Sequence, residues 1–388
     1  MKSTRREFVR AAAAAGGALG TGLLAGEARA QTLPSTAARR VTRAQESLRI
    51  LILGGTAFTG PFQIEYALAR GHDVTIFNRG RTQPTMHPEV FDQVEKLVGD
   101  RDNDLEALKD RKWDAVIDNS ATRPRWVRQS TDILKGNCDT YLFTSSLSVH
   151  ADFSKVGITE DDPVATIDDP TIEEITGETY GALKALSEDV VREAFPDGAI
   201  ILRPHLIVGP GDPTDRWTYW PVRIDRGGEV MAPGTPNDAT QYIDTRDLAE
   251  FGVTLVENRS LGTYSGVGPL APLDMGGLLY GIRAVVSNEI SFTWVPADFL
   301  AEQEVAPWAH MPAWIPPEGE FAGFGAFDNS RSVAAGLKYR PLADTAKATI
   351  DWWKAQPEER TAEPRAGISA EREAEVLAAW HARGEGDL

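Results

Sequence analysis

Residues 48–60 read LRILILGGTAFTG. An unbroken run of leucine and isoleucine, without polar alternation, suits a strand buried on both faces. It feeds straight into a glycine-rich turn, followed by a helical pattern over 60–70 and a second apolar strand over 72–77. Gly54 and Gly60 leave room for the backbone to approach a pyrophosphate, and a helix starting near Gly60 aims its first N–H groups at negative charge. The phosphate-turn candidates are Gly54, Thr56, Phe58, Thr59 and Gly60, with Ala57 where the middle glycine of the usual pattern falls. Such a turn alone serves tight helix packing equally well. Its place between an apolar strand and a helix points to a dinucleotide.

Working outward, short strands are expected over 94–98, 115–117, 140–144 and 199–202, with helices over 104–109, 126–134 and from Tyr180 onward. This alternation predicts an α/β fold: a Rossmann-like, doubly wound parallel sheet with helices on both faces. Beyond Gly209 the Pro, Gly and Trp content rises, which reads as long loops around a pocket more than another regular layer. The expected division is a cofactor domain mainly over 47–208 and a smaller C-terminal substrate-binding lobe mainly over 209–357, with segments returning to the cofactor domain. A charged tail over 358–388 has room for a surface helix and receives no chemical assignment.

The N-terminus carries a different message. Thr4-Arg5-Arg6-Glu7-Phe8-Val9-Arg10 is a twin-arginine pattern, an uncharged Ala/Gly/Leu stretch follows to Ala25, and Ala28-Arg29-Ala30 supplies small residues for cleavage. Residues 1–30 are expected to be a signal peptide and 31–46 a polar leader. The expected destination is the periplasm or the exterior, by way of the twin-arginine export machinery, with no stable membrane insertion after signal removal. The net charge of −17 grows more negative once the signal is lost, so nucleic acid is a poor partner. The single Cys138 has no internal disulfide partner and reads as a small protected side chain. No metal-ligand set is assigned.

After the second strand comes Asn78-Arg79-Gly80-Arg81, where an NAD-selective site usually offers an acid to the adenosine ribose. Arg79 and Arg81 suit a 2′-phosphate, which favours NADP over NAD; they equally suit a solvated loop. Asp100, after the third strand, is placed either for adenine or in a surface turn.

The catalytic candidates are Ser146, Tyr180 and Lys184. Tyr180-Gly-Ala-Leu-Lys184 puts phenol and amine on one helical face. Lys184 is then placed to bind the cofactor ribose and to favour the phenolate of Tyr180, which moves a proton as hydride passes between substrate and nicotinamide. Ser146, just past the fifth strand, is placed to orient the substrate oxygen. For the substrate, Arg216, Tyr219 and Trp220 in DRWTYW combine aromatic faces with hydrogen-bonding groups suited to a carbohydrate-like ring. Gln241 and Tyr242 are further pocket candidates, with domain packing as their other reading.

With GGTAFTG, TSSLSV, YGALK and LRPHLIVGPGD in place, the chain resembles the extended short-chain dehydrogenase/reductase family, in particular its NAD-dependent epimerase/dehydratase-like members. The resemblance covers most of the chain after the signal. It implies that Asn119 and Thr144 line the nicotinamide side of the cleft and that His205 lies near the nicotinamide end. Dehydratase-like members are expected to carry an Asp-Glu pair after the catalytic hydroxyl, but Leu147 and Ser148 follow Ser146 here, which argues against dehydration. Epimerisation and simple oxidation or reduction stay open. Epimerisation recycles one hydride on a tightly held cofactor, an advantage for an exported enzyme loaded before transport. The resemblance also allows a homodimer pairing helices across subunits. A noncatalytic dinucleotide-binding scaffold is the alternative, and an RNA-binding relative a remote one.

Overall fold

The computed structural model describes residues 41–385, apart from Thr85 and Ser120. The expected signal peptide with its twin-arginine pattern, and most of the expected polar leader, lie outside the described residues.

The first half builds strands β1 (Arg49–Leu53), β2 (Asp73–Asn78), β3 (Glu95–Val98), β4 (Trp113–Asp118), β5 (Cys138–Thr144) and β6 (Ala199–Pro204). The second half adds β7 (Ile207–Val208), β8 (Gly228–Pro233), β9 (Ala239–Asp244), β10 (Gly262–Gly266), β11 (Gly268–Asp274) and β12 (Ile290–Val295). Seven of these form one parallel sheet in the order β3-β2-β1-β4-β5-β6-β10. The order reverses between β1 and β4, the switch point at which open α/β sheets leave a crevice outside their carboxyl ends.

The apolar run of β1 explains the two layers. Ile50 and Ile52 face one hydrophobic cluster, while Leu51 and Leu53 face another across the sheet. Helices α1 (Thr59–Arg70) and, further along the chain, Thr245–Glu257 cover the first face. The second is covered by α2 (Pro124–Leu134) and α3 (Gly177–Ala194). The expected helix over 104–109 is only a 3₁₀ turn, Glu106–Leu108.

Past Gly209 the chain is more regular than its Pro, Gly and Trp content implies. Strands β8 and β12 pair in parallel, and β9 joins β7 and β11. Both small sheets enclose a large core holding Trp217, Trp220 and Trp314. The segment from Thr245 to Gly266 returns to the cofactor sheet, covering one face and supplying its last strand, β10. The C-terminal segment is no loose tail: in the helix Ala370–Glu385, Glu373 and Val376 are buried, and Glu373 pairs with Arg223 at 2.6 Å.

Candidate active site

Five expected cofactor positions share the carboxyl edge of the sheet. Gly54 follows β1, Asn78 ends β2, Asn119 follows β4, Thr144 ends β5 and His205 follows β6. At the phosphate turn, Gly54 and Gly55 have φ of 101° and 90°, in the left-handed region glycine enters without a Cβ penalty. A Cβ on Gly60 would lie 2.4 Å from the Gly55 carbonyl oxygen, so α1 reaches the turn only because residue 60 is glycine. Ala57 is accommodated, and its carbonyl accepts the Gly60 N–H at 3.1 Å. Phe58, at φ 49°, is the strained residue before the helix. This cradle fits a pyrophosphate at a helix N-terminus. Asn78 closes its far side, donating to the Gly54 carbonyl at 3.4 Å and accepting the Gly80 N–H at 2.8 Å. Arg79 and Arg81 are exposed beyond it. The Asp100 carboxylate accepts the Asp102 N–H at 3.1 Å within its turn.

The reacting end is built from three elements. Helix α3 starts with a reciprocal cap: the Thr176 hydroxyl accepts the Thr179 N–H, and the Thr179 hydroxyl accepts the Thr176 N–H. Gly181 then lets the helix press on the turn after β5, since a Cβ there would lie 2.2 Å from the Ser148 carbonyl oxygen. That approach brings the helix carrying Tyr180 onto the turn of Ser146, whose hydroxyl accepts the Ser148 N–H at 3.1 Å. Burial raises the Tyr180 phenol above its ordinary value, while Ser146 and the Arg216 charge pull it down. One turn along, Lys184 donates to the carbonyls of Thr144 at 2.7 Å and Ala121 at 2.9 Å, with its ammonium 4.3 Å from the Phe143 ring centroid. Burial lowers its pKa to about 8, against the opposing pull of Asp118 and Glu188.

Asn119 and Thr144 are joined, the threonine hydroxyl donating to the Asn119 side chain at 2.9 Å; Gln63 on α1 accepts from the same amide at 2.5 Å. His205 is a packed histidine. Its Nε2 meets the Phe324 carbonyl at 3.0 Å, its ring lies against Phe324 and Phe327, and burial lowers its pKa to about 4. Cys138 is buried, its thiol pushed up to about 12.

The aromatic substrate candidates do not all reach the cleft. Trp220 is fully buried and its indole N–H donates to the Pro312 carbonyl, so it is core rather than a sugar platform. The buried hydroxyl of Tyr219 and the contact between its ring and Gly367 give that residue a packing role too. Tyr242 packs on Trp217 at 5.3 Å between ring centroids, and both ends of the Gln241 amide are used on the Phe327 backbone. Their packing reading is therefore the one the geometry follows. Arg216 is different: its guanidinium stacks on Trp308 at 5.4 Å and its charge reaches Tyr180 and His205.

Two buried networks went unread in the sequence. Asp118 takes Arg101 through two contacts of 2.8 and 2.9 Å and the Tyr141 hydroxyl at 2.7 Å. Glu188 on α3 takes Arg203, Arg192 and the Ser145 hydroxyl. The one available signal for the first was an aspartate closing the apolar run Ala115–Ile117, which demands a partner.

A parallel 3-2-1-4-5-6 sheet with a phosphate cradle at its switch point, and a Ser–Tyr–Lys set at its carboxyl edge, define an extended short-chain dehydrogenase/reductase-like protein. The chain belongs to the NAD dependent epimerase/dehydratase family, whose model matches residues 50–265. Among solved structures it is similar to a putative epimerase from Burkholderia cenocepacia, with TM-score 0.59 and 18% identity, over 78% of this chain and 97% of that one. It is also similar to UDP-glucose 4-epimerase from Bifidobacterium longum in complex with NAD+ and UDP, with TM-score 0.56 and 18% identity, over 79% and 98%. Among curated proteins, a chloroplast stem-loop binding protein of 41 kDa from Arabidopsis thaliana is 26% identical over 229 residues. That match spans 55% of this chain and 57% of the relative, short of two thirds of its length.

Proposed function

We propose that the protein is an NAD(P)-dependent epimerase or oxidoreductase acting on a secondary alcohol or ketone of a carbohydrate-like substrate. The observation carrying this reading is the close approach at Gly181, which brings the helix bearing Tyr180 onto the turn of Ser146 while Lys184 donates to the carbonyls of Thr144 and Ala121. A bound nicotinamide supplies the hydride acceptor and donor. Residues 54–60 would hold its pyrophosphate, Asn119 and Thr144 would lie beside the nicotinamide, and Lys184 would meet the ribose. Tyr180 takes the proton from the substrate hydroxyl or returns it to the carbonyl, and Ser146 orients that oxygen.

NADP over NAD is the finer proposal, supported by exposed Arg79 and Arg81 in place of an acid after β2. The solved relative from Bifidobacterium holds NAD+, so both cofactors belong in the test. Leu147 and Ser148 after Ser146 support epimerisation or redox over dehydration. The N-terminal motif supports export to the periplasm or exterior with the cofactor loaded beforehand, and a tightly held cofactor with an internally recycled hydride suits that setting. A homodimer is the proposed assembly.

The test is a screen of free and nucleotide-linked sugars for nicotinamide absorbance change and for inverted product, with wild type against Tyr180→Phe. Activity lost in the variant supports the reading. Dinucleotide binding without any substrate-dependent change would favour a scaffold.

A further inference from the structure

Two histidines beside the carboxyl edge of the sheet are buried with almost nothing to bond. His150 follows the 3₁₀ turn Leu147–Val149 and is fully buried, and among the described residues neither of its ring nitrogens has a hydrogen-bond partner. His205 follows β6. Its Nε2 carries the proton, because the Phe324 carbonyl it meets at 3.0 Å only accepts, and its Nδ1 is buried without a partner. Both rings pack on Phe327, at 5.6 and 5.8 Å between centroids, and His205 also packs on Phe324 at 5.1 Å.

Residues 323–327 carry those two phenylalanines and join the stretch after the Ser146 turn to the substrate lobe. On one side, the Gly323 N–H donates to the Phe153 carbonyl at 2.7 Å and the Ala326 carbonyl accepts the Gly157 N–H at 2.8 Å. On the other, the Gln241 amide of β9 takes both backbone groups of Phe327. The fit is close at both faces. A Cβ on Gly323 would lie 1.8 Å from the Lys155 carbonyl oxygen, and one on Gly325 2.3 Å from that of Ala239.

No free acid stands ready to receive a charged imidazole here. The charges that face His150 form two closed pairs, Arg203 of β6 with Glu188 of α3 at 2.7 Å and Lys155 with Asp162 at 2.7 Å. His205 faces Arg216, a like charge, and residues 323–327 contain no titratable side chain. A proton added to either ring is therefore a buried charge without a counter-ion, which the closed packing disfavours.

We propose that residues 323–327 form an acid-released joint: protonation of His150 and His205 frees the segment from both rings and parts the Ser146 side from β9 while the central sheet stays folded. The inference stands apart from the reaction assigned to Tyr180. Burial holds both rings at about 4 against an ordinary 6.5. The open joint thus takes protons first, so the closed form is at full strength above the ordinary value and weakens as pH falls toward the lower one.

The test is amide hydrogen exchange of the full chain, corrected for the intrinsic rate, with residues 323–327 compared with β1. Between about pH 7.5 and 5 the opening of the joint is expected to rise by about 30-fold for each histidine, hence about 10³-fold in all, while β1 keeps its protection. His150→Phe and His205→Gln should each remove one of those factors, and the double variant should be nearly flat. A flat wild-type profile, a rise undiminished in either variant, or a rise that β1 shares overturns the proposal. Should the phenyl ring at 150 prevent folding, His205→Gln decides alone, since its amide keeps a donor for the Phe324 carbonyl and takes up no proton.

Discussion

Lys184 is where burial and chemistry meet most directly. It is almost completely buried, and the fold holds its pKa near 8 against an ordinary 10.5. Between those values the unfolded chain binds the proton and the folded chain releases it, so this residue makes the protein more stable as pH rises through that window. Lys184→Met should flatten the rise, read as melting temperature against pH. Cofactor choice also belongs to single side chains. Replacing Arg79 and Arg81 by Ser should weaken NADP relative to NAD by about tenfold, or about 1.4 kcal/mol, measured by competitive binding; an unchanged ratio would return both arginines to the solvated loop. Tyr180 and Lys184 stood out as candidates through their four-residue spacing together with their place after the dinucleotide-binding unit. The sequence did not show that Trp220 is core, because an indole bonded to a distant carbonyl at Pro312 looks the same in one dimension as an indole facing a sugar.

Among the elements, α3 and the C-terminal helix carry the most consequence. The α3 glycine touches backbone, which moves little, so Gly181→Ala must displace the helix from the Ser146 turn. The expected cost is about 1–3 kcal/mol of stability together with a fall in turnover beyond any loss of folded protein, measured by denaturation and kinetics on the same preparation. Glu373 is the anchor of the C-terminal helix, pairing with buried Arg223 and accepting the Met231 N–H at 3.0 Å. Glu373→Ala strands that guanidinium and should cost about 3–5 kcal/mol, seen as a lowered denaturation midpoint. Elements with strong apolar runs, such as β1, β5 and β6, were legible to within a residue or two. β10 was not: GTYSG has no apolar alternation, and it is a strand only because β6 offers a parallel edge about sixty residues earlier in the chain.

For the whole molecule, the cofactor half was largely readable because its strands and most of its helices follow from local pattern, the 3₁₀ turn Glu106–Leu108 excepted, and Gly54, Asn78, Asn119 and Thr144 fall on one edge. The second half depends on distant pairs: Asp215 with Arg360, Glu373 with Arg223, Gln241 with Phe327. No window of sequence displays those pairs, so Tyr219, Trp220, Gln241 and Tyr242 were read as pocket wall where the structure packs them into the lobe. The decisive measurement is the reduction of bound nicotinamide on adding substrate, followed by near-ultraviolet absorbance in wild type and in Tyr180→Phe carrying the same dinucleotide. The expected result is a substrate-dependent signal in wild type that slows by about 10²-fold or more in the variant. Equal rates in the two proteins, or a chain that binds neither NAD nor NADP, would contradict it.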